Sequence, residues 1–125
     1  MLNTLNLFGC NIGLYGLMKL SEVLMENKTI KELNIGFNQL QGAISAEKIC
    51  IIIANCKNIE ELDVSRNKFG QRGLSLIFDA ICEYEQENRC HLKKINISQC
   101  NVNTFCSSLD LYHPVILDRI KYMPL

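Results

Sequence analysis

The chain repeats itself, and the repeat limits what it can become. Four segments align without gaps: LNTLNLFGCNI from Leu2, IKELNIGFNQL from Ile30, IEELDVSRNKF from Ile59 and LKKINISQCNV from Leu92. Each reads LxxLxLxx(N/C)xL with apolar substitutions at the marked positions, and the starts are 28, 29 and 33 residues apart. A unit of that size is one supersecondary element that cannot bury its apolar face alone, so neighbouring units must stack.

The xLxLx centre alternates with period two and predicts a short strand with one buried face. Leu5 and Leu7, Leu33 and Ile35, Leu62 and Val64, and Ile95 and Ile97 are the inward pairs. The ninth position holds Cys10, Asn38, Asn67 and Cys100. The chain must bend there, and a side chain that bonds free backbone groups of the bend is required. Stacking turns these four into a buried structural ladder, with Asn the better fit and Cys suited to an apolar surround. Gly13 and Gly16 in unit one recur as Gly70 and Gly73 in unit three, which permits a tight turn and close helix approach. In unit two the glycine is displaced to Gly42, so that turn is expected to differ. Helical stripes follow at Leu17, Leu20 and Leu24, at Ala46, Ile49 and Ile53, and at Leu74, Ile77 and Ile81.

These residues resemble the ribonuclease-inhibitor-like class of leucine-rich repeats over about residues 2 to 103. The resemblance implies an α/β fold, a right-handed β/α solenoid forming a horseshoe segment. Short parallel strands would line the concave face and helices the convex one. The expected single domain, 1–125, divides into repeats at about 2–29, 30–58, 59–91 and 92–103, then a C-terminal helical cap at 104–125. The cap rests on the apolar residues beyond Thr104 and on Pro114 and Pro124 as helix boundaries. The extra residues of repeat three fall in the charged stretch Glu83 to His91, read as a longer loop. Met1 falls directly before repeat one, leaving Leu5 and Leu7 on an edge strand without a cap. Such an edge is expected to self-associate with a second chain or to continue upstream.

Composition narrows the partners. Thirteen basic and thirteen acidic side chains cancel, so nothing attracts nucleic-acid phosphates or anionic lipid in general. The longest apolar run, Ile49 to Ala54, is far below the roughly 18 residues of a membrane span, and no basic stretch with a long apolar one marks a signal peptide. Seven cysteines are an odd number without a CxxC pair, which predicts free thiols in a reducing, cytoplasmic setting. His91 and His113 belong to no nucleophile–base pattern, and no P-loop, GxSxG or HExxH occurs. No catalytic residue, cofactor or metal site is therefore expected.

Function is expected on the concave face, where outward side chains stack in columns. Between the strand leucines stand Asn6, Asn34, Asp63 and Asn96, a polar stripe that either bonds a partner or bonds itself. Before the strand, Glu60 and Glu61 adjoin Lys93 and Lys94, most simply as lateral ion pairs. After the strand come Phe8, Phe37 and Arg66, of the types in which interface energy concentrates. The candidate partner-binding residues are thus Phe8, Asn34, Phe37, Asp63, Arg66 and Asn96. They imply a non-catalytic protein-interaction scaffold gripping another protein through its concave face and ascending loops. The Asn-, Ile- and Lys-rich composition suggests an AT-rich genome, such as that of a protozoan or of an intracellular bacterium delivering an effector of eukaryotic type into a host cytosol. Two alternatives are a regulator of a GTPase or other enzyme, using Arg66 or Arg72, and a recognition fragment of a larger multidomain protein.

Overall fold

The computed structural model describes residues 2–87 and 91–100. The expected cap at 104–125 lies outside these residues, as do Cys90, Cys106 and His113. Seven elements alternate among the described residues: β1 (Thr4–Asn6), α1 (Gly13–Glu26), β2 (Glu32–Asn34), α2 (Gly42–Asn55), β3 (Glu61–Asp63), α3 (Gly70–Gln86) and β4 (Lys94–Asn96). The strands form one parallel sheet in chain order, with Leu5, Leu33, Leu62 and Ile95 in register. That register is the one the repeat spacing requires.

Three-residue strands are short, yet the pairing runs on past them. Leu7 N–H donates to the Asn34 carbonyl (2.8 Å), Ile35 to Asp63 (2.9 Å) and Val64 to Asn96 (3.0 Å). Between sheet and helices lies a core in which Leu33, Ile35, Ala46, Ile49, Ile53, Leu62, Val64, Leu74, Ile77, Ile81, Ile95 and Ile97 are buried. β1 is an edge of the sheet among the described residues, and Leu5 and Leu7 there are only half-buried. Leu20 is likewise half-buried on α1, while Leu17 and Leu24 are buried.

The N-cap residues of α1 and α2, Ile12 and Gln41, make no side-chain capping hydrogen bond. The repeat supplies another device. Gly13, Gly42 and Gly70 each begin a helix at φ of +66°, +71° and +72°. Each donates its N–H to the next repeat, to the carbonyls of Asn38 (3.0 Å), Lys68 (3.0 Å) and Cys100 (3.3 Å). The displaced Gly42 therefore does the same work one residue later. The difference expected in that turn is real, and it appears as an isolated parallel bridge between Gln41 and Lys68.

The longer loop expected from Glu83 is corrected. α3 has 17 residues against 14 in α1 and α2 and carries Glu83 to Gln86 as helix. These residues contain neither glycine nor proline, and Glu and Gln favour helix. Tyr84 also packs, partly buried, against the core.

Candidate functional site

The concave face holds a shallow groove of about 630 Å³ running over all four strands, floored by Leu33, Leu62 and Ile95. Its polar column is half spent on the chain itself. The side-chain oxygens of Asn6, Asn34, Asp63 and Asn96 each accept the amide two residues on, from Phe8, Gly36, Ser65 and Ser98, at 2.9–3.0 Å. These turns end each strand and fix each side chain in one orientation. Asn96 Nδ2 also donates to Asp63 Oδ2 at 3.3 Å. Self-bonding thus accounts for Asp63 and Asn96. The side-chain Nδ2 groups of Asn6 and Asn34 donate no bond among the described residues.

The two expected ion pairs are made, Lys93 to Glu60 at 3.1 Å and Lys94 to Glu61 at 3.3 Å. Both are solvent-exposed, and such pairs contribute only about 0–1 kcal/mol each. They set charge balance more than stability.

Where the strands end, Phe8, Phe37 and Arg66 come together. The two rings stack at 5.9 Å between centroids and tilt by 34°. The Arg66 guanidinium carbon lies 5.9 Å from the Phe8 centroid, within reach of a cation–π attraction. Neither ring folds into the core: Phe8 is 41% and Phe37 57% exposed. Glycine makes room for the Phe8 ring, since a Cβ on Gly36 would stand 2.9 Å from it, whereas one on Gly9 would meet Phe37 at an ordinary contact distance of 3.5 Å.

The backbone at this rim is in the left-handed region. Gly9, Phe37, Arg66 and Gln99 occupy the same place in successive repeats at φ of +67°, +52°, +56° and +56°. Glycine accepts that conformation freely, and a bulky L-residue does so at a cost of about 1–2 kcal/mol. Composition alone gave no sign of this strain.

Behind the rim runs the ladder. Asn67 is fully buried, and its Oδ1 accepts the Asn38 and Leu40 amides at 2.9 and 3.1 Å. Its Nδ2 donates to the carbonyls of Ile35, Val64 and Ser65. Asn38 repeats this one unit earlier, accepting from Cys10 and Ile12 and donating to Leu7 and Gly36. Cys100, buried, makes the weaker version, with Sγ donating to Val64 (3.5 Å) and Ser98 (3.7 Å). Cys10 departs from the expectation of a buried ladder. Each rung's side chain reaches back to the preceding strand, and Cys10 follows the edge strand, so it is exposed and among the described residues its Sγ meets only Phe8 O, at 3.8 Å.

Cys10, Cys50, Cys56, Cys82 and Cys100 are free thiols. Burial pushes Cys50 and Cys100 up to about 11 from 9.0, and raises Cys56 as well. A thiolate-selective reagent at pH 8 is therefore expected to modify the exposed Cys10 first among the described thiols, with Cys56 and Cys100 slower by at least an order of magnitude. Mass-resolved labelling reads the sequence of modification, and the denatured, non-reduced chain should yield seven thiols. Among the described residues no group of three His, Cys, Asp or Glu is placed to hold a metal ion. No helix among them is long and apolar enough to cross a membrane.

A leucine-rich-repeat family model matches residues 1–21, 26–44 and 55–78. The chain belongs to the leucine-rich repeat family. It is 30% identical over 115 residues to the mouse NACHT, LRR and PYD domains-containing protein 4E, covering 70% of this chain and 11% of that protein. To the mouse protein 4C of the same designation it is 29% identical over 133 residues, covering 84% and 13%. The chain thus spans only about a tenth of the length of these relatives. Its fold resembles that of the leiomodin-1 actin-binding site 2, with a TM-score of 0.74 and 17% identity over 97% of this chain and 70% of that one.

Proposed function

We propose that this chain is a protein-binding scaffold of the ribonuclease-inhibitor-like subclass, without chemistry of its own, whose partner docks on the concave face with Phe8, Phe37 and Arg66 at the contact centre. The observation that carries the reading is the exposed ring pair of Phe8 and Phe37 with Arg66 over the Phe8 ring. Leiomodin-1's named actin-binding site has the same architecture, which agrees with protein binding and does not carry actin over to this chain. The free, desolvated thiols favour a cytoplasmic location. A second reading, that the chain is a recognition segment of a larger protein, draws support from the small share of its relatives that it spans.

Affinity capture from a lysate of the source organism tests the docking face. A Phe8→Ala/Phe37→Ala variant is expected to lose at least about tenfold of the captured partner, since hot-spot side chains contribute roughly 1–2 kcal/mol or more each. An Ile44→Ala variant, altered at an exposed residue of α2, should capture as the native chain does. Equal capture by all three would sink the concave-face reading.

A further inference from the structure

Resting on the docking reading above, we propose that the concave groove seats one basic side chain of the partner among the carboxylates of Glu32, Glu61 and Asp63. That side chain is a lysine or arginine in a segment otherwise uncharged.

The groove is acidic because its charges are unequally matched. Glu32, Glu61 and Asp63 line it against Lys94 alone. Strand register puts Glu32 beside Glu61, and Glu61 beside Lys94, with neighbouring strands about 4.8 Å apart. Asp63 follows Glu61 by two residues and so shares its face of β3, roughly 7 Å on. Lys94 answers Glu61 at 3.3 Å. The other two carboxylates have only neutral donors among the described residues: the Thr4 hydroxyl for Glu32, and the Ser65 amide and Asn96 Nδ2 for Asp63. A neutral donor fills a lone pair and leaves the charge in place. Three carboxylates against one ammonium leave two negative charges uncompensated. Like charges side by side on adjacent strands repel, and a cation seated among them relieves that repulsion.

The remaining charges limit how much positive charge can enter. Lys31 directly precedes Glu32 and lies outside the groove, as does the Lys93–Glu60 pair, which is neutral in itself. At the other end Arg66 is also outside, with its guanidinium carbon 5.9 Å from the Phe8 ring centroid. Two cations thus bracket an acidic centre. A single basic side chain meets the carboxylates, whereas a run of them would meet Lys31 and Arg66 as well. Apolar neighbours of the basic residue have a place at the rim. Asn6 lines the groove and its Oδ1 accepts the Phe8 amide, so the groove opens directly on the exposed rings of Phe8 and Phe37.

Selection from a display library of random dodecapeptides on the full chain tests this, with counter-selection on the Phe8→Ala/Phe37→Ala variant. The surviving peptides are expected to share one Lys or Arg with uncharged residues on either side. A synthetic consensus peptide should bind about tenfold more weakly to Glu32→Gln/Asp63→Asn, because both uncompensated charges go together. These replacements keep side-chain shape, and Asn holds the place of Asp63 in the other three repeats. Circular dichroism of each variant separates lost binding from lost fold. Glu22→Gln, at an exposed residue of α1, should leave binding unchanged. Norleucine in place of the peptide's basic residue should weaken binding to the native chain and not to the double variant. Equal weakening on both would overturn the pairing. Survivors with an acidic, uncharged or polybasic consensus would overturn the basic occupant and leave the docking face standing. A library that yields no peptide dependent on Phe8 and Phe37 would overturn both.

Discussion

Replacing Asn67 by alanine is expected to lower the unfolding free energy by about 3–5 kcal/mol, because several buried backbone groups lose a partner at once and each orphan costs roughly 1–3 kcal/mol. Two amides and three carbonyls, drawn from repeats two and three, converge on that one carboxamide. Water cannot take its place, as Asn67 is fully buried. Asn38→Ala removes a similar set, yet its partners Cys10, Ile12 and Leu7 belong to the half-open first repeat. Solvent can replace part of what is lost, so about 1–3 kcal/mol is expected there. Asn67→Asp would keep the two amide bonds but set a carboxylate oxygen against three carbonyls, and should also destabilise. Urea denaturation of the three variants gives the ranking. Equal midpoints for Asn67→Ala and the native chain would mean that the ladder does not hold the repeats together.

The ladder also shows what was legible in the sequence and what was not. An Asn recurring at one place in a repeat can be read as a turn-binding residue without coordinates, and strand register follows from the spacing of Leu5, Leu33, Leu62 and Ile95. Cys10 was misread because repetition makes all rungs look alike, whereas a rung's burial depends on the strand behind it. The helix through Glu83 to Gln86 was missed for a different reason. Charge and length suggested a loop, but the helix preference of Glu and Gln, the absence of glycine and proline, and the packing of Tyr84 together carry the helix on. For the candidate site, the sequence placed Phe8, Phe37 and Arg66 in neighbouring columns. Their stacking depends on left-handed backbone at Phe37 and Arg66, a conformation their residue types disfavour and therefore do not announce. Likewise, the self-bonding of Asp63 and Asn96 is a matter of side-chain direction that the column alone leaves open.

The other large effect is expected at Phe78, which the apolar stripe of α3 did not single out. Leu74, Ile77 and Ile81 mark that stripe, and Phe78 widens it with a ring that is wholly buried. At the equivalent place α1 has Ser21 and α2 has Cys50, so the third repeat fills this layer with much the largest side chain. Higher in the same helix the backbone of α3 comes close to α2. A Cβ added to Gly73 would stand 3.3 Å from both the Ala46 Cβ and the Gly42 carbonyl oxygen. The helices are pinned there by glycine, and below the pin the ring fills space that they cannot close without breaking that contact. Phe78→Ala should therefore leave a cavity that relaxes little, costing about 3–5 kcal/mol. In a stacked array each repeat is held mainly by its neighbours, so a gap in repeat three should weaken its coupling to repeat two as well as its own packing. A lower urea midpoint with a shallower slope is then expected, as repeats one and two outlast repeat three. An unchanged slope with a small shift in midpoint would mean that the helices collapse onto the cavity, and that Gly73 does not pin them.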